Sequence, residues 1–246
     1  MSETFDLVFL CAGRGLRVGL ELPKQYVDLC GKPVMVHSLE VFDGIPSIGR
    51  KIIVHEPAET ERITLILEKY RISNWIMIPG GSTRQESVRR GLGLATTSRI
   101  LTHNAAVPFV TPEMIAQVIA IDADCVTTAT EVLNNMVRTD GETMLPVPRK
   151  GLRVVNSPQS FRAAAFRNAH ETAAAEGKQF NSDAELMLHY GHVPQLVPGP
   201  AWSFKITDRV DLALAETILT RPDLFPAIHH DTPPQKHRVG PVALAL

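Results

Sequence analysis

The stretch LVFLCAGRGLRVGLELPKQY, residues 7–26, carries more information than any other in the chain. Its apolar opening, Leu7-Val8-Phe9-Leu10, reads as a buried strand that runs directly into a Gly-rich turn, Ala12-Gly13-Arg14-Gly15. A strand ending in glycines leaves backbone N–H groups uncovered by side chains, and such groups cradle phosphate. Arg17 and Lys24 follow, a forked donor and a point charge, a pair suited to a polyphosphate. The stretch therefore predicts a nucleoside triphosphate site at the end of the first strand. The turn is not a dinucleotide fingerprint, because Val18 stands where G-x-G-x-x-G needs its third glycine. G-x-x-x-x-G-K-[ST] does not occur there either, which excludes a P-loop at this turn. A lone G-x-G is also the sequence of an ordinary tight loop with solvated cations, so the reading needs support from elsewhere.

That support begins at Pro23-Lys24-Gln25-Tyr26 and continues through Gly31-Lys32-Pro33-Val34. A-G-x-G-x-R, a gap, P-K-Q-Y and then L-x-G-x-P-V resembles the opening of the small cytidylyltransferases, those of methylerythritol phosphate and ribitol phosphate. Further on, Gly80-Gly81-Ser82-Thr83-Arg84-Gln85-Glu86-Ser87-Val88 resembles the family's G-G-x-x-R-x-x-S-V, and His103-Asn104-Ala105-Ala106-Val107-Pro108-Phe109-Val110 its H-D-A-A-R-P-F-V. Ser157-Pro158-Gln159-Ser160-Phe161 is similar to T-P-Q-x-F, with Arg149 eight positions upstream. Phe204-Lys205-Ile206-Thr207, then Asp211-Leu212 and Ala215-Glu216, resembles the closing N-x-K-I-T…D-L…A-E. Each motif alone is weak; in this order and spacing they are specific.

The resemblance implies an α/β fold, a mostly parallel Rossmann-like nucleotidyltransferase sheet with a protruding dimerisation arm at about 133–155. It implies transfer of CMP from CTP to a small polyol phosphate, nearest 2-C-methyl-D-erythritol 4-phosphate, with release of pyrophosphate. Such chemistry asks the protein for positioning and charge neutralisation rather than covalent participation. By the same resemblance Arg17 and Lys24 hold the triphosphate, and Ala12, Gly13, Gly15, Gly81, Ser82, Ser87 and Ala105 line the nucleotide. The Gly81-Ser82 backbone and Ser87 would read the pyrimidine. Asn104, Ser157 and Lys205 fall on the acceptor side, with Arg149 and Lys205 assigned to the chemistry there. Mg²⁺ or another divalent cation would bridge phosphate oxygens, with no protein ligand assigned to it. A homodimer is implied, in which Arg149 reaches the neighbouring site.

Composition agrees. A chain of 246 residues with 44% hydrophobic content can bury one sizeable core. A formal net charge of −1 gives no electrostatic case for nucleic acid or a membrane surface. Three cysteines, Cys11, Cys30 and Cys125, lack metal or disulfide spacing and read as small buried hydrophobes. With no signal-peptide pattern and no long apolar run, the chain reads as cytoplasmic.

Strands are expected at 51–55, 75–78, 100–103 and 125–130, alternating with helices at 59–70, 86–95 and 112–121. That alternation predicts parallel strands with crossover helices, and ligands at the carboxyl ends of the strands. Residues 133–155 read as a long hairpin or loop, 1–221 as one domain, and 222–246, with Pro222, Pro226, Pro233, Pro234, His229 and His230, as a poorly ordered tail.

The departures from the family pattern fall on the acceptor side. Asn104 replaces an aspartate, keeping shape and one acceptor but losing charge, and Val107 replaces an arginine. Trp202-Ser203 stands for an acid and an asparagine, Asn181-Ser182-Asp183 for T-D-E, and Asn134-Asn135-Met136-Val137 for D-T-x-K. Three readings stay open on the sequence: an enzyme for methylerythritol phosphate, one for another acceptor such as ribitol 5-phosphate or a phosphonate, and a nucleotide-binding homologue without turnover.

Overall fold

The computed structural model describes residues 3–13 and 22–228. Gly15, Arg17 and the histidines at 229 and 230 lie outside the described residues. The chain runs through β1 (Phe5–Cys11), a short hairpin β2 (Asp28–Leu29) and β3 (Lys32–Pro33), then β4 (Ile48–His55), β5 (Trp75–Pro79) and β6 (Arg99–Asn104). It continues with β7 (Cys125–Glu131), a second hairpin β8 (Met136–Thr139) and β9 (Met144–Val147), β10 (Arg153–Arg162) and β11 (Gln195–Pro198).

Seven of these strands form one sheet in the order β11-β7-β10-β6-β1-β4-β5. All pairings are parallel except those of β10, which runs against both β6 and β7. Because β1 lies between β4 and β6, the chain builds one way through β4 and β5, then returns to the far side of β1 at β6. A crevice opens at the carboxyl ends of strands at such a reversal.

β1 is apolar almost throughout because both faces are covered. Phe5, Leu7, Phe9 and Cys11 enter one core cluster and Val8 the other, as the two-residue period of a strand requires. The first face is covered by α1 (Val34–Asp43), α2 (Thr60–Lys69) and α4 (Pro112–Ile119), through residues such as Leu39, Ile63 and Ile115. On the second lie α3 (Arg84–Leu94), α5 (Ala163–Ala175) and α6 (Asp183–His189), through Leu92, Phe166 and Met187. α7 (Arg209–Thr220) closes a smaller cluster with Leu29, Val34, Phe109 and Ile206. Asp6, buried in β1, fastens the edge opposite the crevice: its carboxylate accepts from the backbone N–H groups of Arg50 (2.8 Å), Thr96 (2.5 Å) and Thr97 (3.1 Å).

Several expectations need correction. α3 begins two residues earlier than read, because Thr83 accepts from the Glu86 N–H and caps the helix. Cys11 and Cys125 are buried, but Cys30 is exposed: with Gly31 it forms the β2–β3 turn at φ of +54° and +87°. The tail is packed at its start, since Phe225 and Ile228 lie against the cluster of Leu29 and Ile206. Within 133–155 only Met136–Thr139 and Met144–Val147 form a hairpin with its own two-stranded sheet, whereas Arg153–Val155 already pair with β7 as the start of β10 in the main sheet. Among the described residues no helix is long and apolar enough to cross a membrane.

Two buried histidines tie stability to pH. His103 packs between the rings of Phe9 and Phe42, its Nε2 2.9 Å from the Val107 carbonyl, and burial drives it from 6.5 down to about 4. His170, edge-on to Phe166, is lowered to about 4, again chiefly by burial. In the unfolded chain both bind a proton near pH 6.5, so from there down to about 4 the unfolded state holds more protons. Stability is thus intact above the unfolded pKa and declines below it, by up to about 1.4 kcal/mol per pH unit for each ring. Thermal midpoints measured at about pH 7.5, 6 and 5 should fall in that order, and His170→Gln should flatten the slope. A midpoint constant down to about pH 5 would contradict this account of the two rings.

Candidate active site

Three loops meet where β1, β5 and β6 end. In the parallel register Cys11 lies beside His55, His55 beside Pro79, and Leu10 beside Asn104, so the segments that follow emerge at one edge. The Gly80 N–H donates to the His55 carbonyl at 2.7 Å and the Ala105 N–H to the Leu10 carbonyl at 3.0 Å. A Cβ built on Gly80 would lie 2.7 Å from the Ala12 Cβ and 2.9 Å from the Ser87 Oγ. Only a glycine lets the first and second loops approach this closely.

Lys24 sits in a 3-10 turn, Lys24–Tyr26, tied to the first loop by its neighbour. The Gln25 amide donates to the carbonyls of Cys11 (2.9 Å) and Gly13 (2.8 Å), which fixes the P-K-Q-Y segment beside the Gly turn. Cys11 is no nucleophile there, since burial pushes its thiol up to about 12.

The second loop is held by its own helix. The Ser87 hydroxyl accepts from the Gly81 N–H (3.1 Å) and donates to the Thr83 carbonyl (2.9 Å). Ser87, expected to read the base, is buried with its hydroxyl engaged inside the loop. The guanidinium of Arg84, the next residue after the helix cap, makes a bidentate pair with Asp183 at 2.7 and 2.8 Å. The Asp183 carboxyl is fully buried and held below its ordinary value: Arg84, with help from His170 and Thr102, outweighs the burial that would raise it. Ser182 caps α6 by accepting from the Glu185 N–H. The Asn181-Ser182-Asp183 segment, read as part of the altered acceptor pocket, is therefore a helix cap and a buried ion pair.

At the end of β6, the half-buried Asn104, expected on the acceptor side, donates its backbone N–H to the Ser157 hydroxyl at 3.4 Å. The Ile206 N–H donates to the Ala106 carbonyl at 2.9 Å, which brings the exposed Lys205 to the same segment. The Asn156 side chain links the two pieces, accepting from the Ser157 N–H at 3.0 Å and donating to the Ser203 carbonyl. Val107, read as an apolar lining of the acceptor pocket, is fully buried and its side chain belongs to the interior. Arg149 stands apart: it lies on the 133–155 arm, donating to the Leu133 carbonyl at 2.6 Å.

Gln25, Glu86 and Arg90 were given no role of their own in the sequence. T-x-x-E at Thr83–Glu86 and the Glu86–Arg90 pair at i, i+4 were signals available for the last two. A groove of about 440 Å³ on the outer side of α2, between Pro33, Glu59, Arg62, Leu65 and Tyr70, contains none of the loop residues.

Residues 6–221 match the family model for 2-C-methyl-D-erythritol 4-phosphate cytidylyltransferase. The chain belongs to that family. The 2-C-methyl-D-erythritol 4-phosphate cytidylyltransferase of Halalkalibacterium halodurans is 34% identical over 220 residues, 87% of this chain and 96% of that one. The enzyme of the same name from Deinococcus radiodurans is 37% identical over 210 residues, 84% and 86% of the two chains. Among solved structures, the cytidylyltransferase of Thermus thermophilus superposes with a TM-score of 0.72 at 29% identity, over 87% of this chain and 98% of that one. The 4-diphosphocytidyl-2C-methyl-D-erythritol synthase of Anaerococcus prevotii, at 23% identity and a TM-score of 0.78, covering 89% and 99%, shares the fold. The seven-stranded sheet and its loop edge are thus the family's fold.

Gly80→Ala tests the approach of the first two loops in this cytidylyltransferase. The added methyl forces Ala12 and Ser87 apart, and a displacement on the order of 1 Å lowers kcat/KM for the nucleotide by about 10²-fold. Gly93→Ala, where the built Cβ meets nothing within 4 Å, should leave kinetics unchanged and keep or slightly raise the melting midpoint, since alanine favours the helix. Equal kinetics for both variants would show that the approach does not shape the site.

Proposed function

We propose that the chain transfers CMP from CTP to 2-C-methyl-D-erythritol 4-phosphate and releases pyrophosphate, with the nucleotide seated on the three loops at the end of β1, β5 and β6. The convergence of Ala12, Gly80 and Ser87 is the observation that carries this reading. An oxygen of the acceptor's phosphate attacks the α-phosphorus of CTP, the bond from that phosphorus to the bridging oxygen breaks, and pyrophosphate departs with the electron pair. Arg17 and Lys24 meet the charge that develops on the triphosphate. Ala12, Gly13 and Gly15 frame the phosphates, and Gly81, Ser82 and Ala105 frame the base and sugar.

Among the described residues no group of three His, Cys, Asp or Glu converges to hold a metal, and Asn104 brings only a neutral amide. A magnesium ion fits such a site as part of the substrate, carried by the triphosphate and its waters. The acceptor falls to Asn104, Ser157 and Lys205, with Arg149 delivered from a second copy of the chain. The arm supports that assembly: Leu133, Met136, Val137, Met144, Leu145, Val154 and Val155 are exposed, Met144 at 70% and Leu133 at 72%. A two-stranded hairpin with apolar faces is marginal alone and suits an interface. The relatives' activity favours methylerythritol phosphate over ribitol 5-phosphate or a phosphonate, and retention of the cation pattern favours turnover over binding alone.

Purified protein with CTP, Mg²⁺ and 2-C-methyl-D-erythritol 4-phosphate should release pyrophosphate, and Lys24→Ala should lower kcat by about 10²–10³-fold with melting unchanged. No release with this acceptor, but release with ribitol 5-phosphate, would reassign the substrate. Mixing Lys24→Ala with Arg149→Ala tests the shared site. Heterodimers then hold one intact site, and about a quarter of the wild-type rate should return on subunit exchange. No recovery, with exchange shown by native mass spectrometry, would confine Arg149 to its own subunit.

A further inference from the structure

β10 carries a bulge where it passes the end of β6. From Val155, opposite Ala129, to Gln159, opposite Thr127, it advances four positions while β7 advances two. Asn156, Ser157 and Pro158 therefore stand against Thr128 alone. A bulge of this kind takes backbone groups out of the ladder and re-aims a side chain, here Ser157 toward the Asn104 N–H. Side chains replace the lost ladder bonds. The Asn156 carbonyl accepts from the Gln159 Nε2 at 3.0 Å and from the Thr127 hydroxyl at 3.1 Å, and the Pro158 carbonyl accepts from the Thr128 hydroxyl at 3.4 Å. The Gln159 Nε2 also donates to the Thr127 hydroxyl at 2.8 Å, which closes a triangle on Asn156. From that fixed point the Asn156 side chain reaches two ways, accepting from the Ser157 N–H and donating to the Ser203 carbonyl, two residues before Lys205.

Stability alone does not account for this arrangement. Gln159 and Ser203 are both buried, and the Gln159 Oε1 and the Ser203 Oγ have no hydrogen-bond partner among the described residues. A buried polar atom left unpaired costs stability, and an apolar side chain at 159 would avoid that cost while releasing the Asn156 carbonyl. Such costs are retained where they hold a geometry that function needs. We infer that Gln159 and Thr127 are positioning residues for the acceptor: acting through Asn156, they set the spacing between Ser157 and Lys205 that the acceptor's phosphate meets. The inference rests on the reading above that Asn104, Ser157 and Lys205 receive the acceptor.

The experiment measures KM for 2-C-methyl-D-erythritol 4-phosphate at saturating CTP, and KM for CTP at saturating acceptor, together with the melting midpoint. It compares the wild type with Gln159→Leu, Thr127→Val, Thr127→Ser, Ser157→Ala and Lys205→Met. Gln159→Leu and Thr127→Val should each raise the KM for the acceptor by about tenfold and leave that for CTP within about twofold of wild type. Thr127→Ser, which keeps the hydroxyl, should stay near the wild-type acceptor KM. A purely structural role would lower the melting midpoint without separating the two substrates. An unchanged acceptor KM in folded Gln159→Leu, or parallel rises for both substrates, would overturn the inference. Where Gln159→Leu does not fold, Thr127→Val against Thr127→Ser decides by the same criterion. If Ser157→Ala and Lys205→Met raise the acceptor KM while Gln159→Leu and Thr127→Val do not, only this inference falls. If Ser157→Ala and Lys205→Met leave the acceptor KM unchanged as well, the placement of the acceptor on these residues falls with it.

Discussion

The parallel register of β1 with β4 and β6 is the constraint on which the site depends. Leu10 beside Asn104, and Cys11 beside His55, which in turn lies beside Pro79, fix where three separate segments leave the sheet. Side chains alternate between faces with a period of two, so a slip of one residue would exchange Leu7 and Phe9 with Val8 across the sheet. Both core clusters resist that slip, and the buried Asp6 carboxylate pins the far end of β1 to Arg50 in β4 and to the loop before β6. The precision of the loop edge is thus supplied by apolar packing several ångströms below it and by one polar anchor at the opposite edge.

On that foundation the site divides into two kinds of surface. The edge proposed to seat the nucleotide is a set of backbone loops held by side chains: Gln25 at Cys11 and Gly13, Ser87 and Glu86 in the Gly80 loop, and Arg84 with Asp183 at the start of α3. The acceptor side is built more loosely. Asn156 and Ser157 draw the 203–206 segment toward Asn104, and the arm leaves apolar side chains such as Leu133 and Met144 exposed. A buried ion pair such as Arg84–Asp183 adds little net stability against an apolar replacement, yet losing one partner strands a charge in the interior. Its value here lies in fixing the helix that carries the loop.

Much of this was legible in the sequence, for identifiable reasons. β1, β4 and β6 carry apolar runs that report burial on both faces directly, while β5, an apolar run at the sheet edge, is only partly buried. The glycines at 80–81 mark the second loop because the close approach of Ala12, Ser87 and Glu86 there needs glycine. What could not be read was tertiary in origin. Val107 and the Asn181–Asp183 segment looked like substrate contacts because they interrupt a family motif, whereas one is interior packing and the other a cap and an ion pair partnered 99 residues away at Arg84. The commitment of the Ser87 hydroxyl likewise depends on a loop conformation that spacing alone does not dictate. Cys30 was misread because its composition says buried, while its place beside Gly31 in a tight turn says exposed.

The central claim is that one edge of the sheet receives the nucleotide. Its most direct test is a crystal structure of the protein with CTP and Mg²⁺. The account predicts the cytosine against Gly80–Ser82, the triphosphate along the turn that begins at Gly13, and the Lys24 ammonium within salt-bridge distance of a phosphate oxygen. Nucleotide density elsewhere, as in the groove along α2 between Glu59 and Tyr70, with the loop edge empty, would contradict it.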